Sequence, residues 1–257
     1  MPTVQDLTDR LEKLAPLPLQ ASYDNAGLLV GDAHAVLTGV LVSLDATEAI
    51  VHEAQERGCN LIVSHHPIIF SGLRQITGRT YVERSVMAAL RARVSLYAIH
   101  TNLDQVWEGV NARLCQQLGL EPEAFLDESS GAGMLGVLPE AMPEPDFLAH
   151  LKASLRLPLV RHTALRHRPV QRVAVCGGAG SFLLEHAVAA KADFFITSDY
   201  KYHQFFDAQG RIVIADVGHY ESEIGTVDLL LDYLGEHFPD LPAYATQQVT
   251  NPVNYYF

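Results

Sequence analysis

With 257 residues, 48% of them apolar, the chain is long enough to bury a full core in one or two domains of ordinary size. That excludes disordered, collagen-like and small disulfide-scaffold classes. Asp and Glu outnumber Lys and Arg by 30 to 18, and the resulting charge of -12 repels polyphosphate backbones, so direct nucleic-acid binding is not expected.

The first apolar residues, Val4, Leu7, Leu11 and Leu14, recur at helical spacing and stop at Pro16, which predicts an amphipathic helix. GVLVSLDA is a strand candidate. TEAIVHEAQERG follows as a helix, with Thr47 as its N-cap and Gly58 at its end. NLIVSHHP is a near-continuous apolar run of the buried-strand type, YVERSVMAALRAR a helix, RVSLYAIH a strand and VNARLCQQLGL a helix. Such alternation needs crossover connections and places helices on the faces of a mostly parallel sheet. Periodicity lapses in EPEAFLDESSGAG, which reads as a linker. A second alternating block then gives strands in GMLGVLPE, QRVAVCGGAG, DFFITSD and RIVIADVGH. Its helices are DFLAHLKASLRL, SFLLEHAVAAKA and a long ESEIGTVDLLLDYLGEHF. The tail AYATQQVTNPVNYYF is a candidate last strand that returns to the first sheet.

The expected architecture is therefore α/β, with two lobes of mostly parallel or mixed sheets flanked by helices and a metal site between them. The lobe boundaries are set at residues 1–126 plus 220–257 for the first lobe and 127–219 for the second. Cys59, Cys115 and Cys176 form no CxxC pair and read as reduced, buried thiols. The N-terminus lacks an apolar stretch of secretory length and no run approaches the ~20 residues of a membrane span, so a soluble cytoplasmic protein with no membrane partner is expected.

Histidine carries the chemistry. Ser64-His65-His66-Pro67 follows a buried strand, so its polar residues emerge at the carboxyl edge where α/β proteins bind ligands. Adjacent imidazoles in extended chain point apart and suit two metals better than one, although a hydrogen-bonded surface pair is the simpler alternative. RVSLYAIH ends in His100 with Asp104 four residues on; Asp104 is either a ligand or the cap of the following helix. RIVIAD runs into His219 and Glu223, four apart at the opening of a helix and so stacked on one face, whereas Glu221 points elsewhere. Three strand ends, each followed by N and O donors without sulfur, suit Zn, Fe, Mn, Co or Ni.

DNAGLLVGD, LIVSHHPIIFSGLRQIT, IHTNLD, VAVCGGAGS, ITSDYKYH and DVGHYESE occur in this order across almost the whole chain. In these stretches the sequence resembles the hexameric dinuclear metal-centre proteins called GTP cyclohydrolase 1 type 2 homologues, or NIF-three-like proteins. The resemblance implies two divalent ions per subunit, held by His65, His66, Asp104, His219 and a bridging Glu223, with His100 beside them. It implies a homohexamer and a metal-activated water that attacks C8 of the guanine ring of GTP; ring opening and loss of formate then give dihydroneopterin triphosphate.

Other roles are looser. His203, in ITSDYKYHQ, is the candidate general acid or base, with Asp199 and His100 as further catalytic candidates. Arg74, Arg79 and Lys201 are the cations expected to hold a triphosphate. Cys176-Gly177-Gly178-Ala179-Gly180-Ser181 is either an anion-binding turn or a place of tight helix packing. Asp24 and Asn25 either orient a ligand or form an Asx turn. Trp107, Tyr255, Tyr256 and Phe257 are packing or subunit-contact residues. Two rival functions share the donor set: a metal hydrolase of a phosphoester or cyclic amide, and a non-catalytic, ring-forming metal-binding regulator.

Overall fold

The computed structural model describes residues Met1–Tyr256; of the aromatic tail, Phe257 lies outside the described residues. In chain order the first elements are α1 (Val4–Leu14), β1 (Gly27–Val30), β2 (Val40–Ser43), α2 (Glu48–Glu56), β3 (Leu61–Ser64), α3 (Tyr81–Ala92), β4 (Ser95–Ala98) and α4 (Thr101–Asp104). There follow α5 (Val110–Gln117), β5 (Glu121–Asp127), β6 (Ala132–Pro143), α6 (Glu144–Ser154), β7 (Arg161–His162), β8 (Pro169–Ala179) and α7 (Leu184–Ala189). The last are β9 (Phe194–Ser198), β10 (Val213–Asp216), α8 (His219–Glu223), α9 (Gly225–His237) and β11 (Ala243–Ala245).

The chain forms two units, Met1–Leu103 with Thr226–Asn254, and Asp104–Gly225 with Tyr255 and Tyr256. The first unit is built on a five-stranded sheet in the order β1-β4-β3-β2-β11. Its strands β4, β3, β2 and β11 run parallel and only β1 is antiparallel. Every residue of β2, β3 and β4 is buried, as expected of parallel strands covered on both faces. Ile50, Val51 and Ala54 of α2 and Val86 and Ala89 of α3 pack against Leu41, Ile62 and Leu96. Thr47 caps α2 as expected, accepting from the Ile50 N–H. The C-terminal segment does return to this sheet: β11 pairs with β2, and the Tyr233 hydroxyl of α9 donates to Arg10 O of α1 at 2.9 Å.

The second unit carries a six-stranded mixed sheet, β5-β6-β8-β9-β10-β7, in which only β8, β9 and β10 are mutually parallel. Leu114 and Cys115 of α5 and Phe147 and Leu151 of α6 cover one face with Phe194, Ile196 and Val213, and α7 closes the other with Leu184 and Ala187 on Phe195 and Ile214.

Four expectations change. EPEAFLDESSGAG is not a linker: Glu121–Asp127 is an edge strand paired with β6, and the turn after it closes through the Gly131 N–H to Asp127 O at 2.8 Å. The passage from the first unit to the second accordingly falls at Leu103/Asp104 rather than near residue 126, because α5 buries its apolar face in the second unit. The return falls at Gly225/Thr226 rather than at 219/220. The long C-terminal helix begins two residues earlier than read, at His219, and is interrupted at Ile224, whose backbone stays right-handed helical (φ -57, ψ -25). The three cysteines are buried free thiols. Among the described residues no helix is long and apolar enough to cross a membrane.

Candidate metal centre

In the first unit β2 and β3 end in register at Ser43 and Ser64. Each serine hydroxyl donates to the carbonyl two residues on, Ser43 to Asp45 O at 2.8 Å and Ser64 to His66 O at 2.9 Å. These turns bend the chain at the carboxyl edge, and there Asp45 and His66 meet: His66 Nδ1 is 2.8 Å from Asp45 Oδ1. His65, fully buried, sets Nδ1 against Ile99 O at 2.8 Å. His100, one residue past Ile99, sets Nδ1 against Asp24 Oδ1 at 2.7 Å. The three rings crowd together with centroids 5.0 to 5.5 Å apart. One nitrogen from each lies within 4.8 Å of the others, close enough to hold a metal ion.

The hydrogen bonds decide the tautomers. A backbone carbonyl or an ionised carboxylate can only accept, so each Nδ1 carries the proton and donates it, and each neutral ring keeps its lone pair on Nε2. An oxygen acceptor behind each imidazole is the usual support of a metal-ligating histidine. Asp24 is the most strongly built of these supports. Its side chain is wholly buried and accepts from His100 Nδ1, from the Thr101 N–H at 3.0 Å, from Thr101 Oγ1 at 2.5 Å and from the Asn25 N–H at 2.7 Å. Burial pushes its carboxyl upward, but the bonds from His100 and Thr101 prevail and hold it well below the usual carboxylate range. DNAG is thus the anchor of a candidate ligand and not an Asx turn, since the Ala26 N–H that such a turn would bind to Asp24 is given to Gln20 Oε1 at 2.8 Å.

The second unit presents another donor group. His219 opens α8 and Glu223 ends it on the same face, with His219 Nε2 3.1 Å from Glu223 Oε2, and His219 Nδ1 is held by Asp199 Oδ2 at 2.7 Å. Glu223 is buried. Burial raises the Cys176 thiol above its ordinary range, and the carboxylates of Asp104 and Glu223 push it further, so both charges lie in the neighbourhood of this sulfur. Asp104 ends α4 and does not cap α5, whose N-cap is Gly109; its carbonyl accepts from Asn111 Nδ2 at 3.1 Å.

The glycine turn resolves in favour of packing. The N–H groups of Gly177, Gly178 and Gly180 are taken by Asn111 Oδ1, Ser222 Oγ and Thr197 Oγ1 at 3.0, 3.0 and 2.9 Å, so all three glycine donors are spent within the protein. Gly178 is left-handed (φ +63), and a Cβ on it would overlap the Glu223 carboxylate. The turn therefore seats Glu223.

Asp199 is placed as the support of His219. His203 stands exposed on the 3-10 turn Tyr202–Ala208, its ring 5.1 Å from that of Tyr202, and Lys201 is exposed just before it. Arg74 and Arg79 are exposed on the segment between β3 and α3. Trp107 packs edge-on against Phe125 at 5.3 Å. Asp45 was not singled out in the sequence, although it follows a buried parallel strand just as His65 and His100 do.

Similarity to known proteins gives the family and the fold. Residues 2–252 match the family described as Duf34/NIF3 (NGG1p interacting factor 3). The chain belongs to the Duf34/NIF3 family. A Lactococcus lactis relative named GTP cyclohydrolase 1 type 2 homolog is 35% identical over 254 residues, 97% of this chain and 98% of the relative. A Clostridium perfringens relative of the same name is 32% identical over 226 residues, 86% of each chain. The crystal structure of Staphylococcus aureus protein SA1388 superposes with a TM-score of 0.90 at 28% identity, covering 99% of each chain. The mixed α/β fold of this family member is thus shared along its full length with a solved neighbour.

Proposed function

We propose that this Duf34/NIF3 protein is a metal-dependent hydrolase of the GTP cyclohydrolase type, using two divalent ions bound by His65, His66, Asp104, His219 and Glu223, with His100 as a further imidazole donor. The observation that carries this reading is the set of four imidazoles, at His65, His66, His100 and His219, each with Nδ1 on an oxygen acceptor at 2.7 to 2.8 Å. His162 and His237 also set Nδ1 on a backbone carbonyl but stand outside any donor cluster among the described residues; what favours metal ligation is that the supported rings of His65, His66 and His100 converge on one another. The names of the relatives at 32 and 35% identity favour GTP over other substrates.

When bound, two such ions would supply Lewis acidity and acidify a water near neutral pH. The protein's own part is to hold the donors still. Asp24, Asp45 and Asp199 and the Ile99 carbonyl fix the ring planes, and Gly178 leaves room for the Glu223 carboxylate. His203 or Asp199 would move protons, and Arg74, Arg79 or Lys201 would offset the -12 charge toward a triphosphate.

The test is formate release from GTP by metal-reloaded protein, compared with His203→Ala. Turnover that is lost in the variant while its metal content is unchanged supports the reading. Full metal binding with no formate from the wild type would overturn it in favour of the two rivals, a metal hydrolase of a phosphoester or cyclic amide and a non-catalytic, metal-binding regulator. The homohexamer belongs to the same proposal and rests on the family resemblance and on the preference of soluble oligomers for closed symmetry.

A further inference from the structure

We infer that Tyr23 and Phe70 form an aromatic platform that receives the flat ring of the substrate, so that the site selects planar heteroaromatic compounds over simple phosphoesters and aliphatic amides. This inference rests on the hydrolase reading and names the residues that would set its substrate class.

Two large rings stand in solvent beside the histidine cluster: Tyr23 is 66% exposed and Phe70 47%. Their centroids are 6.2 Å apart, and Phe70 is 6.3 Å from the His100 ring in an edge-on arrangement. Scattered exposed apolar side chains need no explanation, but paired aromatic rings next to a candidate catalytic centre do.

The pair is also held in place by the groups that fix His100. Tyr23 directly precedes Asp24, whose buried carboxylate accepts from His100 Nδ1 at 2.7 Å. Phe70 directly follows Ile69, whose carbonyl accepts from Asn25 Nδ2 at 2.5 Å. Residues far apart in sequence are thereby tied into one rim, which fixes the backbone from which both rings project. A platform whose backbone is already fixed costs little ordering entropy on binding.

An aromatic face accepts any flat π-system by dispersion and quadrupole attraction and reads no hydrogen-bonding edge. A ring resting on Phe70 would lie next to the His100 imidazole, which is itself 5.2 Å from His65 and 5.5 Å from His66. Neither an alkyl phosphate nor an aliphatic amide offers a face to these rings.

The experiment is calorimetric titration of metal-reloaded protein with GTP and, separately, with inorganic tripolyphosphate, which has the same charged end but no ring. Wild type is compared with Tyr23→Leu/Phe70→Leu, in which exposed rings become apolar side chains of similar bulk, and with Tyr23→Phe, which keeps the ring. Metal content and particle mass are measured on every sample. The inference expects GTP to bind at least about tenfold more tightly than tripolyphosphate, and the double leucine variant to lose about tenfold or more of the GTP affinity only. Tyr23→Phe should bind as wild type. Equal binding of the two probes by wild type, or unchanged GTP binding by the double variant, overturns it. A change of particle mass with GTP binding unchanged does so too, by assigning the rings to a subunit contact. Ring-dependent GTP binding by a protein that takes up no metal would leave the platform standing and remove the hydrolase reading instead.

Discussion

Replacing Asp24 by Asn tests whether the buried carboxylate is the structural anchor of His100. The side chain accepts four hydrogen bonds, from His100 Nδ1, the Thr101 N–H, Thr101 Oγ1 and the Asn25 N–H. An amide of the same shape keeps one oxygen and turns an NH2 toward groups that also donate. Hydrogen bonds to a charged partner are worth about 1.5 to 3 kcal/mol each. With the NH2 at the Oδ2 position the Thr101 hydroxyl can rotate and accept, so one bond to the charged group, that of the Thr101 N–H, is lost and the cost is expected at about 1.5 to 3 kcal/mol. Urea unfolding of the metal-free protein at pH 7 should show this as a lower midpoint with an unchanged slope. Losing an outer carboxylate should also weaken metal binding by about 10- to 100-fold. The sign with pH follows from the carboxyl being held below its ordinary value of 3.8: its contribution is present above that value and is lost as pH falls through the depressed one. Asp24→Asn should therefore flatten the acid limb of the stability profile. A variant within about 0.5 kcal/mol of wild type, with metal affinity unchanged, would refute the reasoning.

Gly178→Ala forces a Cβ into the left-handed backbone at φ +63 and into the Glu223 carboxylate. Backbone strain alone costs about 1 to 2 kcal/mol, and metal uptake, measured by elemental analysis, should fall while the circular dichroism spectrum keeps its wild-type shape. Glu83 accepts from the Thr77 N–H and hydroxyl and from the Arg79 N–H, chiefly the Thr77 backbone bond, and is pushed down to about 2. Its contribution to stability is present above the ordinary value of 4.5 and disappears as pH falls toward about 2, so Glu83→Gln should abolish that part of the pH dependence in unfolding midpoints taken across this window. Light scattering at micromolar concentration should give a closed oligomer, with the hexamer expected; a monomer would end that proposal.

What the sequence disclosed followed from burial. Strands β2, β3, β4, β9 and β10 are covered on both faces and so read as apolar runs whatever their neighbours. β5 did not, because Glu121, Pro122 and Glu123 are exposed on an edge strand that pairs with β6; its conformation is imposed by pairing and leaves no hydrophobic pattern. The candidate donors were legible for the related reason that they follow those buried strands. Their supports were less so. Asp45 reaches His66 across 21 residues and Asn111 reaches Gly177 across 66, distances in sequence that only the fold closes. The glycine turn was ambiguous in sequence because packing against Glu223 and binding an anion demand the same small residues.

The most direct test of the metal-dependent account is the metal content of chelator-stripped protein after reloading and removal of free ions. The account predicts two divalent ions per chain in wild type, loss of most or all of them in Glu223→Ala, and loss of mainly one in His66→Ala. Wild-type protein that retains one ion or none per chain, while folded and monodisperse, would contradict it.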